Sequence, residues 1–575
     1  MRGRPALNGT AARTPAWHLF VPKLVTVLRH GYGAGDLRQD LLAGLTVAIV
    51  ALPLSMAIAV ASGATPAQGL YTAIIGGFIV SAFGGSRFQI GGPAGAFIVL
   101  VAATVHAHGM EGLFLATILS GLFLLVTGLL RLGVYIKFVP YPVTVGFTAG
   151  IAVVILSSQL REMLGLTLAV PEPGPLIEKL PVLWQALPGI DPATALLSLG
   201  TIALIAGIRK LRPQLPALLI AVASGAALVL VFDLPVATIG SKFGGIPAGL
   251  PVFSLPQMSL SRIVEVLPSA VAFTLLGSIE SLLSAVVADS MTGRRHRSNC
   301  ELVAQGYANI ASALFGGLCA TGTIARTATN VRAHAHGPVS GMLHAVFVLL
   351  FMLVAGPLVA YVPLAALAAV LVIVSWNMIE KEEIRAIFRR DLAEAGIFLA
   401  TVGLTVFRDV AEAIAVGVTL GSLLFMHRMA GVVEDAMHTR LVDDDVPDVI
   451  GGPDTAHEFD ARGIAVLSLR GPLFFGAAGQ VSSVLDQIGE KPRGFVLDLS
   501  RVPFVDETAA HALIAFFGKA QKRGVRVAVA GVQRPVLRTL LQNGLDRRMV
   551  IMAPDVDAAR KRLSITVDKA LAQGA

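Results

Sequence analysis

Apolar stretches separated by short polar breaks run through most of the chain, and they fall into two sets of matching order. After an amphipathic approach over residues 17–37, a first span covers 41–61 and contains Pro53, and a second covers 67–83. A polar break, GGSRFQIGGPAG at 84–95, leads into a short apolar run ending at Val105. Spans at 113–130, 143–160, 193–208 and 217–232 complete a set of seven. The second set opens with 263–287 and 302–315. Its third member, FGGLCATGTIARTATNVR at 315–332, again lacks an aliphatic run, and 341–359, 364–379, 393–406 and 410–425 follow. A membrane-crossing helix needs about 20 apolar residues, so both third elements are expected to begin inside the bilayer.

Two sets of seven place the second set inverted relative to the first. Interrupted segments at matching positions of two inverted halves point to the binding site of a transporter. In the first break, Ser86-Arg87-Phe88-Gln89-Ile90 alternates like a short strand, and Gly91-Gly92-Pro93-Ala94-Gly95 opens a helix, with proline suited to its first turn. In the second, the glycine-rich 316–322 leads into a helix near Thr323. Two helix N-termini approaching the midplane from opposite faces present free N–H groups and positive dipole ends, which suit an anion. The expected contributors are Ala94 and Gly95 from one half and Thr321, Thr323, Ile324 and Arg326 from the other, with Ser55 on the pocket wall. Gln89 is a further polar group in the right element. A charged Arg at this depth is costly unless it meets a counter-charge or an anion. The plainer reading, that the glycines only allow close helix packing, leaves the Arg and the paired position without a reason.

Glu280, near the centre of FTLLGSIESLLSAVV, must face the bundle or a cavity. It is expected to couple transport to a cation: as a proton carrier, or with Ser284 one turn on as oxygen ligands for Na⁺. The alternative is a structural pair between Glu280 and Arg326 or backbone. Asp289 reads as a boundary or cap residue, and His344 as a packed, hydrogen-bonded histidine. Pro53 is expected to interrupt the first span and free a carbonyl.

Composition agrees with a membrane protein. Hydrophobic residues make up 55% and charged residues 14% of 575, and the mean hydropathy is +0.74. The net charge of +8 sits in short loops (Arg209, Lys210 and Arg212; Arg294, Arg295 and Arg297; Arg385, Arg389 and Arg390; Arg131 and Lys137), all on the side of the N-terminus. This places both termini in the cytoplasm and argues against a nucleic-acid partner. Cys300 and Cys319 have neither metal-ligand spacing nor a disulfide framework, and no signal peptide is visible. Asn8-Gly9-Thr10 matches a glycosylation acceptor by chance, in a tail expected to be cytoplasmic. No nucleophile–base pair, phosphate loop or metal cluster appears, so neither an enzyme nor a bound cofactor is expected beyond a coupling H⁺ or Na⁺.

From Asp443 onward a run of acids marks a linker, after which strands (IAVLSLRG, FVLDLS, VRVAVAG) and helix-like segments (GAAGQVSSVLDQIG, ETAAHALIAFFGKAQKRG, PVLRTLLQNG) alternate, predicting a small α/β domain. Asp506 reads as the N-cap of the helix that follows it. The domains are therefore expected as a tail at 1–35, a transport domain at 36–430 (repeats at about 36–233 and 260–430), a linker at 431–452 and the α/β domain at 453–575.

The segment GLYTAIIGGFIVSAFGGSRFQIGGPAG (69–95) resembles the signature region of the SulP, or sulfate permease, family of anion transporters, and GGLCATGTIARTATNVRAHAHGPVSG (316–341) resembles the same family's tenth membrane element. The Glu280 span resembles its eighth element. The C-terminal domain, with FVDETAAHAL, resembles the STAS domain that many members carry. The resemblance covers nearly the whole chain after residue 36. It implies a polytopic α-helical fold of two inverted seven-element repeats. A core (elements 1–4 and 8–11) would move against a gate (5–7 and 12–14) in an elevator-like cycle, with the site between elements 3 and 10. It also implies a homodimer in a bacterial-type inner membrane, a cytoplasmic STAS domain able to bind regulatory proteins, and cation-coupled uptake of a small anion. Sulfate comes first, with Na⁺-coupled bicarbonate, H⁺-coupled dicarboxylate, or an uncoupled channel or exchanger as alternatives; a membrane-anchored signalling scaffold is the rival outside transport. Two departures stand out. Pro53-Leu54-Ser55-Met56-Ala57-Ile58-Ala59 lacks the Pro-Gln-aromatic of many members. Glu507 occupies the position of the phosphorylatable Ser of bacterial anti-sigma antagonists, with Thr508 adjacent.

Overall fold

The structure, a computed structural model, describes residues 19–133, 140–168, 176–247, 249, 251–408, 410–436, 464–473, 494–522, 524–546 and 548–573. The chain divides into two compact units, 1–421 and 422–575. Asn8, Lys137, the acidic run from Asp443 and the segment GAAGQVSSVLDQIG lie outside the described residues.

In the first unit a short helix α1 (Lys23–Arg29) precedes α2 (Ala34–Ala61). Pro53 does not interrupt α2, contrary to expectation: the helix runs on through it, losing one N–H donor while buried neighbours hold its course. The second span, α3 (Pro66–Phe83), is also continuous and contains a π turn at Thr72–Gly76. The break follows, with a two-residue strand β1 (Gly91–Gly92). The strand thus falls just beyond the alternating Ser86–Ile90 run, where the Ser86 and Ile90 N–H groups donate to Glu301 and Thr327 side chains on neighbouring helices rather than to a ladder. A 3₁₀ turn (Gly95–Phe97) then enters α4 (Ile98–Leu129), which joins the third and fourth elements across a turn at Gly109 with φ 69°. That left-handed backbone suits glycine.

The first repeat ends with α5 (Tyr141–Leu164), a short α6 (Leu176–Ala186), α7 (Pro192–Leu211) and α8 (Ala217–Phe232). Asp191 caps α7, accepting from the backbone N–H groups of Ala193 and Thr194. After a one-turn helix, α9 (Ile239–Phe243), the second repeat runs α10 (Leu260–Thr292), α11 (Ser298–Leu314), β2 (Thr321–Gly322), α12 (Ile324–Arg332), α13 (Val339–Val359), α14 (Leu364–Met378), α15 (Lys381–Arg390), α16 (Leu392–Phe407) and α17 (Val410–Ala436). Among the described residues eight helices are long and apolar enough to cross a membrane and three shorter ones (217–232, 392–407 and 412–426) are apolar; the more polar α11 and α12 supply the ninth and tenth elements. The architecture is two inverted repeats of seven elements.

Packing sorts these helices into two groups. α2 packs on α13, and α4 packs on both α11 and α10, whereas α5 packs on α14 and α16. The first group therefore unites elements of both repeats around the two breaks, and its interior is closely filled by small residues and Phe97, Phe273 and Met56.

The second unit contains a four-stranded parallel sheet in the order β3 (Ile464–Arg470), β4 (Gly494–Arg501), β5 (Arg526–Ala530), β6 (Ile551–Ala553). Helices Glu507–Lys522, Arg534–Gln542 and Val556–Gln573 accompany it. Phe495, Leu497, Phe516 and Phe517 fill its core. Asp506 caps the first of these helices, accepting from the Ala509 N–H at 2.7 Å.

Candidate anion site

The two breaks meet. β1 pairs antiparallel with β2, Gly91 opposite Gly322 and Gly92 opposite Thr321, so backbone groups that a single broken helix would leave unsatisfied in lipid find partners in the other repeat. The pairing extends at its edge: Thr323 donates through its N–H (3.0 Å) and its hydroxyl (3.1 Å) to the Ile90 carbonyl. The Ile90 N–H donates to Thr327 Oγ1 at 3.1 Å. Helix α12 starts with Thr323 as N-cap, and the 3₁₀ turn into α4 starts with Ala94 in the same position; neither end has a side-chain cap. Their first N–H groups remain available, with two dipole ends directed at the same region. Gly95 and Ile324 are half-buried there, whereas Ala94 and Thr323 are buried.

Arg326 lies one turn into α12 and is almost fully enclosed, with 1% of its surface exposed. Its Nη2 donates to Ser55 Oγ at 3.1 Å and to the Pro93 carbonyl at 3.2 Å, while Nε and Nη1 have no partner among the described residues. Gly92 makes room for it. Its φ is 153°, and a Cβ there would strike Arg326 Nη1. A buried guanidinium with two open nitrogens and no carboxylate in contact is unfavourable unless an anion or water completes it.

Helix α10 lines the same crossing. Gly277 accepts from Thr321 Oγ1 at 3.3 Å, Ser281 Oγ accepts from Gln89 Nε2 at 2.8 Å, and Ser284 donates to Thr327 Oγ1 at 2.9 Å. Glu280 is buried on this helix, one turn from Ser284. No hydrogen bond or ion pair to Glu280 occurs among the described residues, so the contemplated pairing with Arg326 is not formed. Ser284 is already committed to Thr327, although its oxygen keeps lone pairs free. The structure thus brings Ser55, Ala94, Gly95, Thr321, Thr323, Ile324 and Arg326 around one crossing, with Glu280 and Ser284 on the adjoining helix face.

Several participants escaped the reading of the sequence. Asn309 on α11 accepts from the Ala320 N–H and donates to the Ala320 carbonyl, both at 2.9 Å. Ser312 donates to the Leu318 carbonyl at 2.6 Å, and Thr72, in the π turn of α3, accepts from the Leu318 N–H at 2.6 Å. Gln305, with its amide oxygen turned toward Gly322, accepts from that N–H at 3.2 Å. Glu301, fully buried, accepts from the Gly85 and Ser86 N–H groups at 2.8 and 3.0 Å. Glu301, Gln305, Asn309 and Ser312 recur at helical spacing inside an otherwise apolar span, and that face was the available signal. Asp40, also fully buried, holds the far end of the second break, accepting from the His336 and Gly337 N–H groups at 2.6 and 3.0 Å. Asp289 accepts from His296 Nδ1 and its N–H at 2.7 and 3.0 Å. His344 differs from expectation: it is buried beside Gly77 of α3, but among the described residues neither ring nitrogen has a hydrogen-bond partner.

The sulfate permease family matches residues 37–401, and the STAS domain matches 460–559. The protein YvdB of Bacillus subtilis (strain 168) is 38% identical over 517 residues, 90% of this chain and 95% of that protein. The bicarbonate transporter BicA of Picosynechococcus sp. is 31% identical over 529 residues, 89% of this chain and 92% of BicA. In fold, the inward-facing murine Solute Carrier 26 family member A9 anion transporter superimposes with a TM-score of 0.82 at 17% identity, covering 98% of this chain and 96% of that one. The chain therefore belongs to the sulfate permease family: it is a multi-pass membrane anion transporter rather than an enzyme, built from two inverted seven-element repeats and a C-terminal STAS domain.

Proposed function

We propose that this transporter takes up a small inorganic anion, sulfate first, by proton-coupled secondary active transport, with the anion held between the third and tenth elements. The observation that carries the reading is the crossing itself. Two uncapped helix N-termini and the open nitrogens of Arg326 converge where no protein carboxylate supplies the counter-charge. Ala94, Gly95, Thr323 and Ile324 contribute the dipole ends, Arg326 the full charge, and Thr321 and Ser55 the polar wall. Glu280, buried without a partner, is the coupling residue: protonated it enters the apolar core neutral, and it releases the proton on the other face. The helix group around the breaks moves as a core against α5, α7, α8, α14, α16 and α17 in an elevator-like cycle. The protein acts as a homodimer in the inner membrane, with both termini and the STAS domain cytoplasmic and the STAS domain open to regulatory partners.

A second reading, Na⁺-coupled bicarbonate uptake with Glu280 and Ser284 as oxygen ligands, is favoured by the similarity to BicA. Proteoliposomes loaded with full-length protein separate the two. An inward pH gradient should drive labelled sulfate uptake, and Arg326→Gln should reduce it at least tenfold. Glu280→Gln should abolish the response to the gradient while leaving anion exchange. Uptake that follows Na⁺ instead of pH would select the second reading, and gradient-driven uptake surviving Glu280→Gln would remove Glu280 from coupling.

A further inference from the structure

Where the first break opens toward the side carrying the N-terminus, four cations from three segments come together with little to balance them. Lys23 lies in α1, Arg87 in the break, and Arg294 and Arg297 in the connection between α10 and α11. The segment around α1 is strapped onto this place. The Lys23 N–H donates to the Gly84 carbonyl at 2.9 Å, Arg297 Nη1 donates to the Val21 carbonyl and Thr26 Oγ1 at 2.5 and 3.2 Å, and the Cys300 thiol donates to the Phe20 carbonyl at 3.5 Å. Burial, together with repulsion from Arg297 and Arg87, holds the Lys23 ammonium below the usual lysine range. Arg294 in turn acts on Arg87. Asp289 is the carboxylate near enough to attract Lys23, but its Oδ2 already accepts from the His296 ring and N–H. Glu301 is spent on Gly85 and Ser86. Among the described residues none of the four cations forms an ion pair.

Like charges gathered beside a fixed backbone strap, Lys23 and Arg87 among them half-buried, are unfavourable in isolation and favourable around an anionic group whose several oxygens accept from them. Simple attraction to a charged surface would be served by exposed, separated lysines. Here Lys23 and Arg87 are half-buried, and the strap fixes Lys23 beside Gly84, three residues before Arg87. We propose that Lys23, Arg87 and Arg294 form a phosphate-group site at the mouth of the first break, with Arg297 holding the strap that shapes it. The site is separate from the transported-anion crossing: its residues lie at the outer end of the break, whereas Arg326 reaches Pro93 at the inner end.

The test uses the full chain in neutral detergent, with melting temperature read after adding inorganic phosphate, short-chain phosphatidylglycerol or short-chain phosphatidylcholine. Phosphatidylglycerol should raise the melting temperature of the wild type by several degrees, and Lys23→Gln with Arg87→Gln should abolish that rise. Arg326→Gln, which alters the transport site, should leave the rise intact. Inorganic phosphate acting as strongly, through the same residues, would identify a soluble phosphate as the ligand, and phosphatidylglycerol alone would identify a lipid headgroup. A rise that survives Lys23→Gln with Arg87→Gln, whichever of the three compounds gives it, or no rise with any of them overturns the proposal. Should the double variant fold poorly, Arg294→Gln alone is expected to weaken the response at least threefold.

Discussion

Glu301 and His344 show how differently two buried titratable side chains can sit in one membrane core. Glu301 accepts two backbone N–H groups from the start of the first break. Removing an acceptor so that buried donors are left unsatisfied costs about 1–3 kcal/mol for each. Glu301→Ala should therefore lower the melting temperature clearly, while Glu301→Gln, which still offers a carbonyl oxygen, should lower it less. An equal loss for both would mean that the charge, not the acceptor geometry, matters. His344 has no partner on either nitrogen among the described residues. Replacing a partnerless buried polar ring with an apolar side chain removes a desolvation penalty, so His344→Leu should match or exceed the wild type in thermal stability. A marked loss of stability would instead reveal water bridging the ring, and the open Arg326 nitrogens nearby would be its natural partners.

At the scale of the element, the broken segments are held from outside themselves. The residues 318–322 have almost no regular structure of their own, and α11 fixes them through Asn309 and Ser312. Asn309→Leu preserves helix propensity and size but strands the Ala320 N–H and carbonyl. It should displace Thr321 and Thr323, and in flux assays raise the half-saturating anion concentration severalfold with little change in the amount of protein inserted. Unchanged affinity would show that the N-termini are placed by the β1–β2 pairing alone. The sequence made the two breaks legible because glycine, threonine and arginine are conspicuous among aliphatic residues, and their matching rank in each set announced an inverted pair. It made Glu280 legible for the same reason. It hid the strand register: pairing Gly91 with Gly322 depends on residues more than two hundred positions apart, and no local alternation reports it. It also hid the α11 face. Gln305, Asn309 and Ser312 read as ordinary tolerated polar residues in a span, and only their contacts show that they carry the second break. Pro53 misled in the opposite direction, since its local cost is absorbed by packing that a window of sequence does not display.

Across the whole molecule, the helix group around the breaks draws its members from both repeats, and this mixing is what allows two inverted ends to face one another. The β1–β2 pairing fastens those halves through backbone partners, with side chains of the flanking helices bracing it. It also has a consequence for how the protein is made. Gly91 leaves the ribosome 231 residues before Gly322, and at typical elongation rates of about 5–20 residues per second that gap lasts roughly ten to fifty seconds. During that interval the first repeat sits in the membrane without the β2 strand that pairs with its own. Chains truncated at residue 300 should therefore be inserted yet cleared rapidly in pulse–chase experiments, whereas chains ending at residue 436 should persist. Equal lifetimes would show that the first half shelters its break unaided. Biogenesis, as much as transport, hinges on a clasp only two residues long.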